Sequence, residues 1–127
     1  LLYAAELLCD AFLERFGQGK WFGFRVVVRE LLLNAVHHGN RDDASLRVRC
    51  ELVHLDDSRA LVKVGDEGAG FDYRALNMSL PEDPLSLERR GYVLVNALAD
   101  RIAFNDSGNE VRVWLSFGHS VPLAANE

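Results

Sequence analysis

The pattern of apolar and polar positions changes period along the chain. In residues 1–16, Leu1, Ala4, Ala5, Leu8, Phe12 and Phe16 recur at helical spacing, with Glu6, Asp10 and Glu14 elsewhere on the wheel. Gly17 and Gly19 end that helix, because glycine gives up helical preference. A second helix is expected from about Trp21 to His38, closing at a Gly39-Asn40 cap. Leu46, Val48, Cys50 and Leu52 then alternate with Arg47, Arg49 and Glu51, the period of a half-buried strand. Asp56-Asp57-Ser58 makes a turn into a second strand at residues 60–64, its hairpin partner. Glycines up to Gly70 and prolines at 81 and 84 mark residues 65–90 as a long loop with at most one short helical piece; such loops are usually functional. A third helix at 91–100, a strand at 101–104, a turn at 105–109 and a last alternating strand through Val111, Val113, Leu115 and Phe117 complete the order, with a frayed tail after Gly118. The sequence α-α-β-β-loop-α-β-β predicts an α+β layer sandwich with a largely antiparallel sheet.

Length and charge narrow the classes. The 127 residues fit one domain with a real core, 49% of them apolar and 26% charged, which excludes a disordered chain. Fourteen basic against 19 acidic side chains give a net charge of −5, so a protein that tracks nucleic-acid phosphates is not expected. No apolar run approaches the ~20 residues of a membrane span. Cys9 and Cys50 stand far apart, outside metal-ligand spacing, so neither a disulfide framework nor a zinc site is expected, and a reducing cytoplasm is the expected location. The chain starts without Met, as a piece of a longer protein would.

The second helix carries the strongest chemical signal. Phe22, Phe24, Val26, Val27, Val28, Leu31, Leu32, Leu33, Ala35 and Val36 make it apolar on most sides, and Glu30, Asn34, His37 and His38 fall within roughly 100° of one another on it. A carboxylate and a carboxamide in such a helix are costly without hydrogen-bond partners. The partners are either protein groups, such as Arg25 or Arg29 for Glu30, or a ligand with a metal ion. His37 and His38, being adjacent, do not make a helical metal pair, which needs a three- or four-residue spacing. A second cluster, Asp66-Glu67-Gly68-Ala69-Gly70-Phe71, sets an acceptor at a strand end ahead of two glycines that permit close backbone approach. It matches neither G-x-G-x-x-G nor the P-loop. A third, Glu88-Arg89-Arg90-Gly91-Tyr92, opens a helix whose free N–H groups and basic flank suit phosphate. Each cluster alone has a plain structural explanation: a satisfied polar pair, a surface turn, a helix start.

In this order the three resemble the motifs of the GHKL ATPase superfamily, and within it the anti-sigma-factor serine/threonine kinases. Residues 30–40 resemble the asparagine box, 66–71 the first glycine box and 90–95 the second, the likeness extending over about 1–117. The resemblance implies a Bergerat-type two-layer fold, a mostly antiparallel mixed sheet with helices on one face. It further implies ATP with Mg²⁺, Asn34 on the metal, and Glu30 as the base for the attacking hydroxyl. Asp66 would accept from the adenine amino group, Gly68 and Gly70 would wrap the nucleotide, and Arg90, Gly91 and Tyr92 would meet the phosphates. His37 stands where the family carries a basic residue. The implied activity is phosphorylation of a serine on a STAS-type anti-anti-sigma protein, with a sigma factor as second candidate partner and a homodimer as candidate assembly. The 72–88 loop is short for a sensor histidine kinase lid, and no phospho-accepting histidine helix precedes the domain, which favours the anti-sigma type. Arg89 and Asn109 stand where the family usually has glycine and threonine, and both weaken the expected phosphate grip. The alternatives are a non-catalytic nucleotide- or partner-binding domain and a histidine-kinase-type ATPase domain; chaperones and topoisomerases of this superfamily need domains this chain has no room for.

Overall fold

Burial of one apolar face per element organises the chain. The computed structural model describes residues 1–15, 21–75 and 90–117. Helix α1 spans Leu2–Glu14 and α2 spans Phe22–Asn34, running on into a wide π-turn at Ala35–Gly39. Strands β1 (Val48–His54) and β2 (Arg59–Asp66) form the expected hairpin, and a 3₁₀ turn follows at Tyr73–Ala75. Helix α3 is Arg90–Leu98, then come β3 (Arg101–Phe104) and β4 (Glu110–Ser116). The remainder of the anticipated loop, residues 76–89, and the tail lie outside the described residues, as does Phe16.

The four strands order as β1-β2-β4-β3, every pairing antiparallel, which gives the anticipated α+β sandwich. Alternation assigns the faces. Ala60, Val62, Val64, Val111, Val113 and Leu115 are buried together with Phe24, Val27, Val28, Leu31 and Leu32 of α2 and Val95 of α3. The opposite face carries most of the sheet's charges, where Lys63 pairs with Glu51 at 3.5 Å and Arg112 with Glu110 at 3.1 Å. No helix among the described residues is long and apolar enough to cross a membrane.

Three expectations need correction. The buried stripe of α1 is Ala5, Cys9, Phe12 and Leu13, whereas Leu1 and Leu8 are exposed. This helix is apolar nearly all round, so periodicity could not choose the face. Arg25 of α2 chooses it, reaching Glu6 at 3.2 Å and Asp10 at 2.7 Å, one turn apart on α1. Phe12 then stacks on Phe24, ring centroids 5.1 Å apart, and on the β1 His54 at 3.8 Å. The second correction concerns the end of α2. The helical run does end at Gly39 with Asn40 as its C-cap, but through a π-turn and with Asn40 at φ −86°, outside the left-handed region. The positive φ values fall instead on Arg41 (51°) and Asp42 (61°). Leu46, expected in β1, precedes the strand. Cys9 and Cys50 are free thiols, and burial pushes each up to about 11.

Candidate functional site

At one end of the sheet, the π-turn of α2 meets the end of β2. The π-turn is closed by Asn40 N–H donating to the Ala35 carbonyl, five residues back, at 2.8 Å. Such turns inside helices recur at functional sites. The chain reverses through Arg41 and Asp42, with Asp42 N–H bonded to the Val36 carbonyl at 2.9 Å and the Asp42 carboxylate 2.5 Å from His37 Nδ1. Two consecutive non-glycine residues in the left-handed region are costly, and this backbone pairing holds them there.

Asn34 is buried, 9% exposed, and among the described residues its Nδ2 has no hydrogen-bond partner. A buried donor left without an acceptor costs about 1–3 kcal/mol. Among the described residues this donor caps no neighbouring turn. Glu30, one turn earlier, is half-buried and forms no ion pair among the described residues; Arg25 is committed to α1. Helix α3 crosses both at Gly91, where a Cβ would lie 2.9 Å from Glu30 Oε2 and 3.1 Å from Asn34 Nδ2. A carboxylate, an unpaired amide and the first turn of a helix thus share one small space.

The strand side is built from close backbone contacts. Asp66 ends β2, its N–H donating to the Asn109 carbonyl at 2.9 Å and its Oδ1 accepting from Gly68 N–H at 2.8 Å. Burial pushes its carboxyl above the usual range, opposed by the Gly68 N–H and the charge of Arg49. A Cβ at Gly39 would stand 2.1 Å from Asp66 Oδ2, and one at Gly68 would stand 1.9 Å from the Gly39 carbonyl oxygen. Gly70, at φ +89°, likewise leaves no room against the Ser107 carbonyl, where a Cβ would be 1.8 Å away. The glycines of this loop are therefore dictated first by contact with the π-turn and the β3–β4 hairpin.

Between the two sides lies a cleft of about 280 Å³ lined by Asn34, His37, His38, Arg41, Asp66 and Tyr92, with Gly39, Gly70, Phe71 and Gly108 completing its wall. Of the residues singled out in the sequence, Asn34, His37, His38, Asp66, Gly70, Phe71 and Tyr92 line this cleft. Gly68 supports it from behind, and Glu30 and Gly91 sit beside Asn34. Arg90 is the first residue of α3. Tyr92 is only 7% exposed and stacks on Phe71 at 5.8 Å, so it serves as floor. Sequence reasoning missed the roles of Arg41, Asn40 and Asn109. Asn109 Nδ2 donates to the Gly68 carbonyl at 3.3 Å, tying the last hairpin to the glycine loop. Its place next to Gly108 was visible, but its partner was not.

Nitrogen donors and a lone amide on one wall, and a desolvated carboxylate with apolar rings on the other, suit a ligand that is anionic at one part and a flat donor-bearing ring at another. Among the described residues no group of three or more His, Cys, Asp or Glu could hold a metal ion. The family model for the histidine kinase-like ATPase domain matches residues 3–115. The chain belongs to that family. It is thus a GHKL-type ATP-binding domain, with the asparagine helix and the Asp66 loop on facing walls of one cleft. Comparison with curated proteins and with solved structures gave no match.

Proposed function

We propose that this domain is an ATP-dependent protein serine/threonine kinase of the anti-sigma type. Its acceptor is a serine on a STAS-type anti-anti-sigma protein, with a sigma factor as a second partner, in the cytoplasm and as a homodimer. The observation that carries the nucleotide part is the buried Asn34 Nδ2, a donor with no hydrogen-bond partner among the described residues, on a side chain that lines the same cleft as Asp66. The short 72–88 segment supports the anti-sigma type over a sensor histidine kinase.

Mg-ATP, when bound, supplies the phosphoryl group and the metal charge that offsets the charge on its oxygens. Asn34 would hold the metal through its amide oxygen. Asp66 would accept from the exocyclic amino group of the base, while Gly68 and Gly70 keep the backbone close to it. His37 and the start of α3 at Arg90, Gly91 and Tyr92 would offer donors to the phosphates. Glu30 would take the proton of the attacking serine hydroxyl. The Asn109 substitution does not weigh against this reading, because its amide holds the hairpin to Gly68.

Glu30→Ala tests the assignment. We expect Mg-ATP affinity within about twofold of wild type and phosphoryl transfer to a cognate STAS-type protein reduced at least ~100-fold. Unchanged transfer rejects Glu30 as the base, and absence of transfer by the unaltered domain rejects the kinase.

A further inference from the structure

We infer that Asn40 is a positioning residue that sets where Asp66 stands relative to the asparagine helix, and so governs the preference for a 6-amino purine. The inference rests on the nucleotide reading above. Asn40 is 4% exposed, one of two buried polar residues among those described, the other being Asn34. Unlike Asn34, it is fully engaged. Its Nδ2 donates to the Arg47 carbonyl at 3.0 Å, and its Oδ1 accepts from Glu67 N–H at 2.9 Å. Glu67 Oε1 in turn accepts from Arg47 N–H at 2.6 Å. The three residues close a ring that joins the end of the π-turn, the approach to β1 and the loop after β2.

Both covalent neighbours of this ring belong to the cleft. Gly39 precedes Asn40 and lies against the Asp66 carboxylate; Asp66 precedes Glu67. The backbone of Asn40 closes the π-turn onto Ala35, one residue after Asn34. Other bonds to Asp66 come from Asn109 and Gly68, which fix it to the hairpin and to its own loop. Among the described residues, the hydrogen bonds between the π-turn and the Glu67 loop run through Asn40. An amide is needed there because it donates and accepts at once: a carboxylate cannot donate to the Arg47 carbonyl, and alanine leaves both backbone groups without partners.

The test is calorimetric titration of Mg-ATP and Mg-GTP into the domain, its Asn40→Ala and Asp66→Asn variants and the double variant. At C6 GTP carries an oxo group where ATP carries the amino group, so an Asp66 placed for the 6-amino group gains no hydrogen bond there. Asn40→Ala should weaken Mg-ATP about tenfold and leave Mg-GTP within about twofold, collapsing the ratio of the two affinities. In the Asp66→Asn background the same change should alter Mg-ATP affinity less than about twofold, because its route of action is already gone. Parallel loss of both nucleotides, or additive effects in the double variant, overturns the inference and shows a merely structural Asn40. Should circular dichroism show Asn40→Ala unfolded, Glu67→Ala decides, since Glu67 is exposed and opens the same ring. It should weaken Mg-ATP about threefold and spare Mg-GTP, and parallel loss again overturns the inference. If the unaltered domain binds no Mg-ATP, the nucleotide reading itself fails, an outcome distinct from either of these.

Discussion

Replacing Gly91 by alanine separates stability from function. In an ordinary helix the change stabilises by about 0.5–1 kcal/mol, because glycine loses more backbone freedom on folding. Here the new methyl would stand 2.9 Å from Glu30 Oε2, 3.1 Å from Asn34 Nδ2 and 3.4 Å from Asn34 Oδ1. The carboxylate must retreat by about half an ångström to reach ordinary contact, and the amide by roughly 0.3 Å. Glu30 is half-buried and yields at low cost; the buried Asn34 yields less readily. These terms largely cancel, so the unliganded domain should melt within about 4 °C of wild type. Phosphoryl transfer depends on positions held to within fractions of an ångström, and misplacement of this size should slow it roughly 10–100-fold. Thermal melts of the unliganded domain and single-turnover transfer to a serine-bearing partner read the two effects. A rate within twofold of wild type would contradict the assignment of the Gly91 crossing to the site. Loss of activity that merely tracks unfolding would contradict the energetic argument.

Asp66→Asn should weaken Mg-ATP by about 1–3 kcal/mol, seen by calorimetry, since a donor then faces the donor on the base. Burial raises Asp66 in the folded state, so the folded chain holds this proton more firmly than the unfolded one, and stability falls as pH rises through the folded pKa. Melting curves of the asparagine variant should lack that decline across the range above the ordinary aspartate pKa; an unchanged pH profile counts against a desolvated carboxylate. Gly70→Ala places a Cβ 1.8 Å from the Ser107 carbonyl at φ +89°, and urea unfolding should show a loss on the order of 3 kcal/mol. A loss below about 1 kcal/mol would mean that the loop can move away from the hairpin.

Much of the fold was legible because its sheet is covered on one face. Alternation at Val111, Val113 and Leu115, or at Cys50 and Leu52, can only mean one side in and one side out. Asp66 was legible at a strand end because glycines follow it at once. The face of α1 was not, since apolar residues lie on more than one side of that helix and the Arg25 pairs mark the side that meets α2. The π-turn was not either: residues 22–38 carry an uninterrupted helical pattern, and the wide turn is set by where Gly39 must meet Asp66. The left-handed Arg41 and Asp42 are held by backbone bonds that no side-chain type announces. Asn40 reads as a cap in sequence and is one, but its side-chain partners, 7 and 27 residues away, were not legible. The polar residues Glu30 and Asn34 were legible for the opposite reason, as local violations of an apolar helix.

The most direct measurement is a calorimetric titration of Mg-ATP into the purified domain, repeated with Asn34→Ala. The unaltered domain should bind with a Kd that requires Mg²⁺, and the alanine variant should lose at least tenfold in affinity while melting no lower than about 4 °C below wild type, because the Nδ2 it removes has no hydrogen-bond partner among the described residues. Equal affinity in the two proteins, or a variant that no longer folds, would show that the buried amide serves the structure and not a nucleotide.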